Sequence, residues 1–149
     1  MANRIVRLDN VAATKVPSLL KSAKFMGTDG ATPTAIENGQ LVAIRGLMDG
    51  EREVHVAVEA EASDTVIGVV GTPEVIYDER GVGDSDLGNF KNEADEVIRV
   101  AVLQKADIYS YADATSATDT NDVTAGTLTA KHLATEVCGR YTYKVVEVQ

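Results

Sequence analysis

The sequence predicts an all-β fold, a small β-barrel or β-sandwich with an extended N-terminal arm and long loops. Apolar and polar residues alternate over roughly seven or eight short segments, as they do in half-buried strands. No stretch keeps a helical apolar period for more than about two turns. The hydrophobic fraction is 44% with only 5% aromatic residues, and it comes mainly from Val and Ala. Thin layers of such residues suit sheets better than helices.

Residues 95–111 (DEVIRVAVLQKADIYSY) give the clearest strand signal in the chain. Strand-forming residues run up to a turn at Lys105–Asp107 and then resume. This pattern predicts two strands joined by a short connection, forming one arm of a small barrel.

The N-terminal residues 1–34 are predicted to be an extended arm and loop, and residues 35–149 are predicted to be the β-barrel or β-sandwich domain. Pro17 interrupts any helix in this segment, and turn-forming residues fill Gly27–Pro33. Basic residues are concentrated in the first 25 residues, where Asp9 is the one acidic residue. The arm is therefore either a solvated segment or one that lies on a partner surface.

Three patterns follow in the middle of the chain. Asn38–Gly39 is a tight turn that enters a strand reaching Ile44. Glu53–Glu59 alternates strictly, which places its valines on one face. Thr65–Val70 is a continuous apolar run, as expected for a strand that is covered on both sides.

The second half of the chain mixes strands with long polar segments. Glu74–Tyr77 is predicted to be a short strand, and Asp78–Asn92 a charged loop. Ala112–Thr129 has low hydrophobicity and is predicted to be a linker or a long exposed loop. Ala130–Ala134 is either a turn of helix or the start of a strand, and Arg140–Val148 is predicted to be the closing strand.

Composition and charge exclude several classes of function. The formal charge is −9, from 23 acidic and 14 basic residues, which disfavours direct binding of nucleic acid because phosphate contacts need clustered Lys and Arg. Val66–Val70, the longest apolar run, is too short to span a bilayer. Cys138 is the single cysteine, so no intramolecular disulfide is possible. The N-terminus lacks the apolar run of a signal peptide, which predicts synthesis in a cytoplasm.

Reactive motifs are scarce. His55 and His132 are far apart, and neither has a second ligand at metal-binding spacing. Asp84–Gly88 and Asp119–Asp122 offer oxygen ligands, but both lack the full frame of a calcium loop, so calcium uptake stays open. Neither a nucleophile elbow nor a dinucleotide-binding glycine motif is present. The sequence predicts no catalytic residue, no metal site, no cofactor and no enzyme activity.

Candidate interface residues come from two parts of the chain. Tyr and Arg are enriched in binding hot spots, and Arg140, Tyr141 and Tyr143 lie together in the closing strand. The two tyrosines share one strand face, which is either core or interface. Together with the basic residues of the arm, the predicted interface set is Arg4, Arg7, Lys15, Lys21, Lys24, Arg140, Tyr141 and Tyr143.

Three segments resemble the decoration, or auxiliary head, proteins of tailed bacteriophages. They are residues 37–42 (ENGQLV), 73–80 (PEVIYDER) and 96–110 (EVIRVAVLQKADIYS), in that order and spacing. The resemblance covers residues 35–111. The long Ala/Thr/Asp tract from Ala112 and the extra C-terminal strand depart from the smallest members of this group.

The resemblance implies a virion structural protein that binds the outer surface of a phage capsid and stabilises contacts of the capsid protein. Its implied partners are the major capsid protein and further copies of itself, with a trimer as one arrangement, and neither nucleic acid nor membrane. The implied location is the capsid surface of the virion, after synthesis in the host cytoplasm. A chain lacking residues 2–25 is then predicted to fold but to lose capsid binding. The alternatives are another virion component, such as a head fibre base, tail or baseplate protein, or a free β-barrel ligand-binding module.

Overall fold

The computed structural model describes residues 5–72, 91–112, 120–138 and 141–149. These residues form an all-β fold, as predicted, with a closed barrel and a second, open sheet. In the described ranges the strands are β1 Ile5–Asn10, β2 Leu20–Phe25, β3 Leu41–Leu47, β4 Val54–Val58, β5 Ile67–Val70, β6 Val97–Val102, β7 Ile108–Ala112, β8 Val123–Ala125, β9 Leu128–Cys138 and β10 Tyr141–Val148. Two short 3₁₀ helices, Ala12–Thr14 and Pro17–Leu19, connect β1 to β2.

The barrel has five strands in the order β2-β4-β3-β5-β6. It closes because β2 pairs with β4 on one side, in parallel, and with β6 on the other side, antiparallel. Every strand contributes a small or branched apolar side chain to the cluster that fills the interior: Ala23, Val42, Ala57, Val70, Ile98 and Val100. A narrow barrel needs such small side chains, and the Val- and Ala-rich composition supplies them.

The second sheet is antiparallel, in the order β1-β7-β10-β9-β8. Its inner face packs against the outer wall of the barrel, where Val69 and Ala101 meet Tyr109, Val146 and Val148. All four residues of β5 are buried, since one face of this strand lines the barrel and the other faces the open sheet. The prediction of a strand covered on both sides is confirmed.

The prediction of an extended N-terminal arm is wrong for the described residues. β1 pairs with β7 in the open sheet, and β2 closes the barrel. Val6 and Leu8 pack against the core between the two sheets, and Val11 is only 1% exposed. Burial of these apolar side chains outweighs the solvation of the neighbouring basic residues. The loop predicted at Gly27–Pro33 is confirmed.

The prediction of a linker over Ala112–Thr129 is also wrong in part. β7 extends to Ala112, and β8 pairs with the first residues of β9 in a hairpin. Gly126 turns this hairpin with φ +56°, and a Cβ there would lie 2.6 Å from the Asp64 carbonyl oxygen. The N–H of Thr127 donates to that same oxygen at 3.0 Å. The hairpin is thus docked on the barrel. Residues 113–119, like Glu74–Tyr77 and most of the loop predicted at Asp78–Asn92, lie outside the described ranges.

The barrel loop beneath this hairpin is fixed by Asp64. Its Oδ2 accepts a hydrogen bond of 2.7 Å from the backbone N–H of Glu61 and one of 3.0 Å from the Arg45 guanidinium. The Glu61 N–H, and secondarily Arg45, hold the pKa of the Asp64 carboxyl below its usual value. The carboxylate therefore stays ionised at neutral pH and keeps the loop in place under the hairpin.

A buried amide network fixes one end of the barrel. The Asn38–Gly39 turn forms as predicted, with Gly39 at φ +85°. Asn38 is fully buried; its amide donates to the Thr72 carbonyl at 2.7 Å, and its oxygen accepts from the Thr72 N–H at 3.2 Å. The Asn92 amide donates to the same oxygen at 3.1 Å. One side chain thus joins the segments that enter β3, leave β5 and precede β6.

Replacing Asn38 with Ala is expected to lower the free energy of unfolding by about 2 kcal/mol, because it leaves the partly buried backbone groups of Thr72 without their side-chain partner. Urea unfolding followed by circular dichroism measures this. Gln104→Ala, which removes an exposed amide, is the control and should change stability little. A variant as stable as the unmodified protein would show that the network does not hold the turn.

Candidate functional site

The predicted interface residues are distributed over both sheets. Arg7 lies on β1 and Tyr143 on β10, whereas Lys21 and Lys24 lie on β2 and Lys15 is exposed between β1 and β2. Lys24 forms an ion pair with Asp95 at 3.1 Å. Arg4, Arg140 and the side chain of Tyr141 lie outside the described part of the chain. Among the described members of the set, the structure brings Arg7 and Tyr143 into contact.

Arg7, Tyr143 and Glu136 form a cluster on the outer face of the open sheet, which we name the Arg7 cluster. The Arg7 guanidinium lies 5.5 Å from the centroid of the Tyr143 ring and 3.5 Å from the Glu136 carboxylate. Strand register explains the cluster. Tyr143 pairs with Glu136 across β10 and β9, and Arg7 lies opposite Ser110 on β7, the strand between β1 and β10.

The structure also answers whether the Tyr143 ring is core or surface. Tyr143 is 7% exposed and packs against Ala112, so the ring is buried. The Arg7 and Glu136 side chains above it are 35% and 53% exposed. An approaching molecule would therefore meet a charged pair supported by a buried aromatic ring. The ion pair between Arg7 and Glu136 is exposed, and such a pair adds little to stability.

Comparison with protein-family models, curated proteins and solved structures found no match. The described ranges contain no helix that is long and apolar enough to cross a membrane. Within those same ranges, no three His, Cys, Asp or Glu side chains are grouped so that they could hold a metal ion. Asp84–Gly88 lies outside them. The described residues present two further surfaces.

One such surface is a cleft of about 500 Å³ between the barrel and the β8 hairpin. Its apolar wall includes Phe25, Ile36 and Leu41, and its polar groups include Glu59 and Thr124. Polar and apolar groups contribute about equally to its surface, and a concavity of this size falls within the range of sites for small molecules.

A second surface, which the sequence did not predict, is the edge of β9. This strand has eleven residues and pairs with β10 from Ala130 to Cys138, whereas β8 pairs only with Leu128–Ala130. In the described structure, Lys131–Cys138 is therefore a free edge of the open sheet. The register shift between Val145 and Val146 on β10 leaves Leu133 as an extra residue in β9. Such a bulge interrupts the alternation of apolar and polar residues from which a strand is predicted.

Proposed function

We propose that the chain is a virion structural protein that binds the outer surface of a phage capsid and stabilises contacts of the capsid protein. The resemblance of residues 37–42, 73–80 and 96–110 to decoration proteins suggests the capsid as the target. The Arg7 cluster is the observation that carries the proposal. It presents an arginine, a residue type enriched in hot spots, on an open sheet whose opposite face is packed against the barrel.

The two-sheet architecture suits this role. The open sheet is supported by a closed barrel, so its outer face is a rigid platform that loses little conformational entropy on binding. On a lattice, many such weak contacts give strong retention, provided that copies of the protein also contact one another.

The change Arg7→Ala is expected to weaken capsid binding about tenfold, the effect of losing a contact worth about 1.4 kcal/mol. The measurement is co-sedimentation with heads that lack this protein, prepared from the phage whose genome encodes the chain. Arg52→Ala, which removes an exposed arginine from the loop before β4, is the matched control and should bind normally.

Two results would count against the proposal. If the unmodified protein does not co-sediment with these heads, the capsid is not its partner, and labelling of whole virions for electron microscopy would show whether it belongs to the tail, the baseplate or a head fibre. If Arg7→Ala and Arg52→Ala bind equally well, the Arg7 cluster is not the contact.

The cleft favours a second candidate function, a free β-barrel module that binds a small molecule. A ligand present at about a hundred times its dissociation constant would stabilise the protein by about 2.7 kcal/mol, so a thermal-shift screen would detect it. Thr124→Trp would place a large side chain in the cleft and should abolish such a shift. A screen without hits, together with capsid binding, would exclude this candidate.

A further inference from the structure

Among the residues that the structure describes, no strand pairs with Lys131–Cys138 on the side of β9 away from β10, so this edge exposes backbone hydrogen-bonding groups that another strand can use. Unpaired edges of this kind are templates for strand addition. Exposed apolar side chains lie along it, with Leu133 at 48% and Val137 at 73% exposure. Lys131, Ala134, Thr135 and Glu136 are exposed as well.

We propose that a second copy of this chain pairs antiparallel with this edge, about a two-fold axis that passes by Thr135. In this register Thr135 lies opposite Thr135 of the second copy. The other opposed pairs, each formed twice, are Ala134 with Glu136, His132 with Val137, and Lys131 with Cys138. Leu133 remains outside the register as the bulged residue.

The length of the free edge favours this register. The paired segment Lys131–Cys138 fills the free edge and stops where β8 begins, because Val123 already pairs with Ala130. A shift of two positions toward β8 would direct the end of β9 in one copy into β8 of the other.

The faces of the strand select the same register. Lys131 pairs with Glu147 and Glu136 with Tyr143, so both point to the outer face of the sheet. His132 pairs with Val146, whose side chain is in the core, so it points to the inner face. The bulge at Leu133 reverses which residues of β9 face outward. Along the whole free edge, outer residues therefore lie opposite outer ones only if the register leaves Leu133 unpaired. A slip by one position would reverse the faces of every pair.

Charge complementarity supports a second copy as the occupant. In this register Lys131 is the diagonal neighbour of Glu136 of the second copy on the outer face, and symmetry repeats the pair. Diagonal β-carbons in such a sheet lie about 7–8 Å apart, within reach of long side chains. No two like charges lie opposite each other. A lysine and a bulge often protect an edge from pairing, but here the lysine gains a carboxylate and the bulge sets the register.

The proposal concerns the free protein and does not depend on capsid binding. An interface of this kind uses the same patch on both copies, so it closes after two. Any trimer would therefore need a different surface.

Disulfide trapping tests the register directly. Thr135→Cys is introduced together with Cys138→Ser, which removes the chain's one native cysteine. Opposed residues of an antiparallel pair have Cα atoms about 4.5–5.5 Å apart, which suits a disulfide. We expect a covalent dimer on mild oxidation. Thr28→Cys in the same background, at an exposed turn, is the control and should form no covalent dimer.

Sedimentation velocity tests the association itself. The unmodified protein should sediment as a dimer at micromolar concentration. Thr135→Asp should raise the dimer dissociation constant about tenfold at low salt, because it opposes two carboxylates on the axis, whereas Thr28→Asp should not. Lys131→Glu should also weaken the dimer, because it places a carboxylate diagonally beside Glu136 of the second copy. The proposal would be overturned if the unmodified protein were a monomer at about 100 µM. It would also be overturned if the protein formed a dimer that Thr135→Asp did not weaken and that Thr135→Cys did not trap as a disulfide. Neither result would bear on capsid binding.

Discussion

A chain that lacks residues 2–25 is expected to lose cooperative folding altogether. This reverses the expectation from the sequence, in which the segment was an arm that could be removed from an intact domain. The structure places β1 and β2 within this segment, and each belongs to a different sheet. Its removal would therefore damage both layers of the fold.

Loss of β2 is the more severe part of this damage. β2 joins β4 to β6 and so closes the barrel. Without β2, both β4 and β6 become edge strands. Water then reaches the barrel interior, where Ala23 is fully buried in the intact protein. Loss of β1 and the following helix also uncovers the core between the sheets, because Val11 and Ala13 are 1% and 2% exposed. A domain of this size has only about 5–15 kcal/mol of net stability, so it cannot lose a barrel strand and part of its core and still fold cooperatively.

Thermal and urea unfolding, followed by circular dichroism, measure this effect. We expect the shortened chain to show no sigmoidal transition and to aggregate through its new strand edges. Removal of residues 2–4 alone leaves every described strand intact, and that chain should unfold cooperatively. If the chain that lacks residues 2–25 showed a sharp unfolding transition, the segment would be a removable arm, as the sequence predicted.

The strands could be predicted from the sequence more readily than their partners. The signal in residues 95–111 identifies β6, the turn and β7, but it does not show that β6 belongs to the barrel and β7 to the open sheet. The turn itself passes the chain from one layer to the other. Asp107 holds this crossing, since its carboxylate accepts the Gln104 N–H at 2.7 Å and the Ala12 N–H at 3.1 Å. Ala12 is far away in sequence, and no local pattern could indicate that contact.

Two segments were misjudged because their apolar residues are few. In β1, Val6 and Leu8 flank Arg7, and in β8 and β9, Val123 and Leu128 stand among Thr and Ala. These few side chains suffice because each packs against a core that distant strands provide. Local composition predicts a solvated segment in both places, and long-range burial decides otherwise.

The candidate site was predictable only by residue type. Arg7 and Tyr143 were both selected from the sequence, but their contact depends on β1 and β10 lying on either side of β7. Glu136 was not selected, because nothing near it in the sequence distinguishes it from the other acidic residues. The free edge of β9 depends on where β8 begins to pair with it, which is a property of the sheet and not of the strand.

Replacing Gly68 with Val is expected to lower the free energy of unfolding by about 3 kcal/mol, through overpacking of the barrel. Gly68 lies in β5 opposite Val42 and Val102. A Cβ at this position would overlap the Val100 side chain and lie 2.9 Å from the Ala101 carbonyl oxygen. Val100 is itself fully buried, so it has no free space to move into. Glycine is needed here because β5 and β6 approach closely inside a narrow barrel.

The matched control is Gly46→Val on β3, where a Cβ would meet no atom within 4 Å. It should be neutral or slightly stabilising, because valine favours strands. Adding Val100→Ala to Gly68→Ala should recover only part of the loss, since the contact with the Ala101 backbone remains. Urea unfolding of the four proteins measures these differences. If Gly68→Val is as stable as Gly46→Val, the close approach of β5 and β6 does not exist in solution.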